Sequence, residues 1–362
     1  MRTGAERACD VTALIEGLPD PAARRHSTNA DLLSESEVVA RALLGRFAPG
    51  ERIAVWAYNI PEWVVLEFGA ELAGITLVTV NPAYRSSELS YVLKQSRASG
   101  IFLLSEYRGN PMAATLEQTR PHLPELREVV LFSDWSVFCG SGAPTERLPE
   151  VRPEDAAQIQ YTSGTTGFPK GVVLHHRGIT NNARLFAERV EIATGDVWVN
   201  PMPMFHTAGC VLLTRGPIQH GATQVLMPFF DPGLQLALIV SERGTLLGGV
   251  PTMLIAMLDH PDVARRDLSS VSCAPGVPVR IPKSEYHSWS GSVAQNSCRG
   301  ALGSVFVVGR YPRESDRLAR LAHQPGNTRA SQCVRAAEML GDVQELGRRP
   351  PHATNQAASS SH

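Results

Sequence analysis

Short apolar runs alternate with segments of helical spacing over most of the first 271 residues. Arg52-Ile-Ala-Val-Trp-Ala-Tyr58 is rich in strand formers. Pro61 then suits a helix N-terminus, and apolar positions recur at helical spacing from Glu62 to Leu72, where Gly74 can stop the helix. Thr76–Val80 reads as the next strand, closed by Asn81-Pro82. Ser87–Ser96 reads as a helix with Leu89, Val92 and Leu93 on one face. Ile101–Leu104 and Val129–Phe132 read as strands, with a helix over Met112–Leu123 between them. Beyond a Pro- and Gly-containing loop, Gly140–Pro153, the alternation resumes. Strands are expected at Gly171–Leu174, Val197–Asn200, Gln224–Met227 and Thr245–Leu247. Helices are expected at Asn181–Val190, Leu234–Ser241 and Thr252–Leu258. Such alternation builds parallel sheets flanked by helices, and the strands read as apolar because both faces are covered. The fold class expected is α/β: two sheet-containing subdomains, then a poorly ordered tail.

The tail begins where the alternation fails. Residues 272–362 hold eleven Lys and Arg against six Asp and Glu, and few large aliphatic residues. Ala301–Val308 reads as a strand, and Arg317–His323 and Cys333–Leu346 as helices, but nothing joins them into a layer. Three readings stand: a disordered basic tail, a segment binding an acidic partner, or the product of a shifted reading frame. The expected organisation is a weakly patterned segment 1–36, a first α/β subdomain 37–150, a second 151–271, and the tail 272–362.

Composition narrows the class. With 43% apolar and 19% charged residues and a formal charge of −1, a soluble cytoplasmic enzyme is the default, and nucleic acid is not an expected partner. No apolar run reaches the ~18 residues of a membrane span. Six cysteines without a Cys-x-x-Cys argue against a disulfide scaffold or a structural zinc site.

The candidate chemistry sits in Tyr161-Thr-Ser-Gly-Thr-Thr-Gly-Phe-Pro-Lys-Gly171. Gly164 and Gly167 let backbone N–H groups approach a ligand; Thr162, Ser163, Thr165 and Thr166 add hydroxyl donors, and Lys170 a mobile cation. This inventory suits a polyphosphate, without the Walker spacing; a polar hairpin turn is the plainer alternative. The string resembles the phosphate-binding signature of the AMP-forming acyl-activating enzymes. Asn200-Pro-Met-Pro-Met-Phe-His-Thr-Ala-Gly209 is similar to that family's motif before the acyl pocket. Gly248-Gly-Val-Pro-Thr-Met253 is similar to a segment lining the acyl site, and Asn81-Pro-Ala-Tyr84 and Ile60-Pro-Glu-Trp63 resemble the fatty-acyl branch. The likeness runs over roughly Glu37–Val271.

The resemblance implies ATP-dependent activation of a fatty or other carboxylic acid to an acyl-adenylate, then a thioester with coenzyme A. It assigns Thr162, Ser163, Gly164, Thr165, Thr166, Gly167 and Lys170 to phosphate, and Thr166 also to Mg²⁺. His206, Gly249, Val250 and Pro251 fall to the acyl group, with His206 the catalytic candidate. Other elements of the family pattern are missing: an aromatic-Gly-x-Thr-Glu string and a late lysine, since the lysines are Lys94, Lys170 and Lys283. The expectation is a ligase-like chain with impaired turnover; the alternatives are a non-catalytic nucleotide- or acyl-binding protein or an unstable remnant.

Overall fold

The computed structural model describes residues 8–142, 147–162 and 169–271, all within one unit spanning residues 1–301. Among them the chain opens with strand β1 (Thr12–Glu16) and a short β2 (His26–Thr28). Helix α1 (Asn29–Leu44) starts at a reciprocal cap, in which Thr28 and Asp31 each accept the other's backbone N–H. β3 (Arg52–Trp56) leads to α2 (Pro61–Leu72), and β4 (Thr76–Val80) to α3 (Ser86–Ser96). β5 (Gly100–Leu103), α4 (Met112–Thr119), β6 (Glu128–Leu131) and the short α5 (Trp135–Cys139) follow. The signature hairpin is β7 (Ala156–Thr162) and β8 (Lys170–His175), after which α6 (His176–Arg189) returns along the sheet. β9 (Val197–Asn200), a π-helix (Ala208–Arg215), α7 (Gly216–Gln219) and β10 (Thr223–Leu226) come next, then α8 (Pro232–Ser241), β11 (Leu246–Leu247) and α9 (Pro251–Leu258).

These strands form two sheets, in the orders β6-β5-β3-β4-β7-β8 and β11-β9-β10-β1-β2. Neighbours are parallel except for the antiparallel pairs β7–β8 and β1–β2. Sheet membership cuts across the division expected at residue 150. The signature hairpin belongs to the first sheet, because β7 extends β4 with Val78 opposite Ile159. The opening segment does not stand apart either: Leu14 of β1 lies opposite Gln224 of β10, more than 200 residues away. The strand and helices expected beyond Val271 lie outside the described residues.

Both faces of the central strands are covered, so β3 and β4 are almost wholly buried. Helices α1 and α2 cross at Gly69, where a Cβ would stand 2.6 Å from Val39 Cγ1. Trp63 and Leu66 of α2 are fully buried in the largest apolar cluster, and the same helix also buries the carboxylate of Glu67.

Candidate active site

Both stems of the signature loop are stapled to α3. The Tyr161 hydroxyl donates to Val92 O at 3.2 Å, and the Tyr91 hydroxyl donates to Pro169 O at 3.0 Å. Burial pushes the Tyr161 hydroxyl up to about 12, so it stays a donor. Gly171 makes room for this ring: a Cβ there would stand 3.1 Å from Tyr161 Cζ. Thr162 and Lys170, the last and first residues of the two strands, are paired in register and both exposed. Ser163, Gly164, Thr165, Thr166 and Gly167 lie outside the described residues. Among the described residues no group of three or more His, Cys, Asp or Glu side chains could hold a metal.

His206 sits on the turn between β9 and the π-helix, and this turn is fixed from the first sheet. Thr79 of β4 donates its hydroxyl to Phe205 O at 2.9 Å. Asn59, just beyond β3, donates from Nδ2 to Met202 O and to Met227 O, both at 2.9 Å, and accepts from Met204 N at 2.8 Å. One buried amide thereby binds the end of β3 to the segments after β9 and β10. Nothing local in the sequence marks Asn59 or Thr79, since each lies within a mainly apolar run. Asn59→Ala is expected to lower stability by ~2–4 kcal/mol, because it orphans buried backbone groups; urea unfolding of the two proteins measures it.

The His206 ring has a defined polarity. Ala208 N donates to His206 Nδ1 at 3.1 Å, so Nδ1 is unprotonated. Desolvation holds the imidazole below its ordinary pKa, leaving it neutral at physiological pH. The neutral ring then carries its proton on Nε2, which makes it a donor to an oxygen and not a general base.

Of the other acyl-group candidates, Gly249 and Val250 form the turn between β11 and α9, and Val250 is exposed. Pro251 opens α9. The preceding Gly248 packs on an indole, where a Cβ would stand 2.8 Å from Trp198 Nε1. A cavity of about 280 Å³ opens beside the His206 turn, with Phe205, Tyr58, Tyr107, Phe229 and Arg108 among its walls. The Arg108 guanidinium lies 4.6 Å from the Phe229 ring centre and forms no ion pair with a described residue.

Two mixed sheets flanked by helices, with the signature hairpin at the edge of one and its described stems held to α3, define an α/β domain. The chain belongs to the AMP-binding enzyme family, whose model matches residues 1–305. The match extends past both ends of the Glu37–Val271 span marked by the motifs, which corrects that span. The mouse mitochondrial medium-chain acyl-CoA ligase ACSF2 is 34% identical over 278 residues, covering 67% of this chain and 45% of that protein. A ring-substituted propanoyl:CoA ligase of Rhodococcus jostii is 32% identical over 254 residues, covering 64% and 49%. The chain thus spans about half the length of these relatives. The inhibitor-bound N-terminal domain of FACL13 from Mycobacterium tuberculosis superposes with a TM-score of 0.72 at 26% identity, covering 82% of this chain and 72% of that one. No described helix is long and apolar enough to cross a membrane.

Proposed function

We propose that this chain carries the acid- and ATP-binding half of an AMP-forming acid–thiol ligase acting on a fatty, medium-chain carboxylic acid. The observation that carries the reading is the Thr207 hydroxyl, which donates at 2.7 Å to Gln160 Oε1 on β7. It sets the His206 turn against the strand that delivers the phosphate loop. ATP would lie along that loop, with Lys170 beside its phosphates, and the acid carboxylate would reach His206 Nε2–H. A carboxylate oxygen would then attack the α-phosphorus, forming the acyl–phosphate bond as pyrophosphate leaves. In the second step the coenzyme A sulfur would attack the acyl carbonyl, AMP would leave, and the thiol proton would pass to solvent. The aromatic cavity with Arg108, which forms no ion pair among the described residues, offers an approach for an anionic, base-bearing thiol such as coenzyme A. The likeness to ACSF2, a medium-chain acyl-CoA ligase, makes a medium-chain acid the first substrate to try. Mg²⁺ is proposed as the metal accompanying ATP, with Thr166 as its contact.

Alone, the 362-residue chain is expected to bind better than it turns over. It contains no late lysine and no aromatic-Gly-x-Thr-Glu string. Loss of one preorganised charge-stabilising donor costs ~10²–10³ in rate. The test is calorimetric titration with ATP and with a non-hydrolysable octanoyl-sulfamoyl adenosine, alongside ATP–pyrophosphate exchange. Binding with little exchange is expected, and Lys170→Ala should weaken ATP binding ~10–100-fold, the worth of a charge-assisted contact. Binding of neither ligand would overturn the reading; exchange at full ligase rates would overturn the expected impairment.

A further inference from the structure

Two glutamines are buried side by side on one face of β7, in a position where a covered strand ordinarily carries apolar residues: Gln158 is 0% and Gln160 5% exposed. They belong to a chain of hydrogen bonds with one direction. Thr207 Oγ1 donates to Gln160 Oε1 at 2.7 Å, Gln160 Nε2 donates to Gln158 Oε1 at 2.9 Å, and Gln158 Nε2 donates to Glu67 Oε1 at 2.5 Å. Gln160 Nε2 also lies 3.1 Å from Cys210 Sγ. At the far end Arg215 Nη2 donates to the same Glu67 oxygen at 2.8 Å, and Arg215 also pairs with Glu71.

The direction is dictated by the acid. Glu67 Oε1 accepts two donors, so Gln158 must face it with its NH₂ group. That turns the Gln158 carbonyl to the NH₂ of Gln160, and the Gln160 carbonyl to Thr207. Glu67 Oε2 is buried and has no partner among the described residues, so it is the oxygen free to take up a proton while Oε1 stays the acceptor. The hydroxyl of Thr207 is therefore committed as a donor. Thr207 lies between His206 and Ala208, the residue whose N–H holds His206 Nδ1.

We propose that Glu67 is a remote positioning residue: through Gln158 and Gln160 it fixes the Thr207 hydroxyl, and through that turn the Nε2–H tautomer of His206. The inference rests on the proposed ligase reading for its purpose, though not for its geometry. Glu67 touches no substrate; it acts three hydrogen bonds away.

The test uses the full chain with ¹⁵N-histidine, the His206 ring signals assigned by His206→Gln, and octanoyl-sulfamoyl adenosine as the ligand. In the parent chain the ring should show one tautomer, with a pyridine-like Nδ1 and a protonated Nε2. Glu67→Gln lets position 67 meet Gln158 with either end of an amide, and Thr207→Val removes the last donor at equal volume. Both should split or shift the ring signals and weaken the analogue about tenfold, the worth of one hydrogen bond near a ligand. Thr207→Ser should restore both. If Glu67→Gln fails to fold, the Thr207 pair decides. Unchanged ring signals in Thr207→Val would overturn the proposal, as would no rescue by Thr207→Ser. Failure of the parent chain to bind the analogue would overturn the ligase reading, while the ring signals would still decide the positioning role.

Discussion

Replacing Arg215 with methionine is expected to cost ~3–5 kcal/mol of stability, because it leaves a buried carboxylate without its cation. Arg215 is 6% exposed; it holds Glu67, which is fully buried, and Glu71, and its guanidinium lies 4.9 Å from the Phe68 ring centre. Desolvation pushes the Glu67 carboxyl up to about 7, against the lowering pull of Arg215 and with Glu71 adding to the rise. Without the guanidinium it rises further. A carboxyl raised in the folded state takes up a proton on folding, so its folded form is favoured at low pH and loses that advantage as pH climbs through the folded value. The penalty of Arg215→Met should therefore be smallest near pH 5 and grow towards pH 8. Urea unfolding of both proteins at the two pH values reads it. An equal penalty at both would show that Glu67 is not the group left stranded.

The elements that could be read from the chain are those whose signal is local. Thr76–Val80 and Val197–Asn200 are strands with the expected bounds, because each is a short apolar run ended by Asn-Pro. The His206 motif is visible for the same reason: its residues are contiguous. β1 was not legible: its partner β10 lies some two hundred residues on, and Thr-Ala-Leu-Ile-Glu alone carries no statement of that pairing. The π-helix over Ala208–Arg215 is not legible because fewer than two wide turns do not alter an apolar pattern enough to be seen. Glu67 and the β7 glutamines did leave a trace. Glu67 is one helical turn from Trp63, on an apolar stripe, and Gln158 and Gln160 alternate with Ala157 and Ile159 inside a strand. Polar residues at covered positions demand partners. Which partners they find depends on a third element, the π-helix, and that could not be read from either segment. The signature loop is the reverse case: its residue types suit a polyphosphate from the sequence alone, and the structure describes only how its stems are held.

Gly209→Ala is expected to be the most damaging single change in the His206 motif. A Cβ at this position would stand 2.3 Å from the carbonyl oxygen of Pro203 and 2.6 Å from its carbon, and Met202 O lies at 2.9 Å. These are backbone atoms, and they cannot rotate away as a flexible side-chain end could. They are also held: Asn59, just beyond β3, grips Met202 O and Met204 N, and the Gly209 N–H itself donates to His206 O at 2.9 Å. The methyl can be accommodated only if the turn opens, which breaks the bonds of Asn59, frees Phe205 O from Thr79 and separates Thr207 from Gln160. Overpacking a well-filled site costs ~1–3 kcal/mol. The buried hydrogen bonds lost with it, at ~1 kcal/mol each, take the expected total to ~4 kcal/mol or more. Gly171→Ala makes the matching control. The nearest atoms to its Cβ belong to the Tyr161 and Ile159 side chains, at 3.1 Å and beyond, so small side-chain shifts relieve it. Thermal and urea unfolding should place Gly209→Ala far below both the parent chain and Gly171→Ala. In whatever fraction of the variant remains folded, the His206 ring should lose its single tautomer, because the peptide that aims Ala208 N–H at Nδ1 is the one the new methyl displaces. Equal stability of the two alanine variants would mean that the close approach of Gly209 to Pro203 is not what holds the turn.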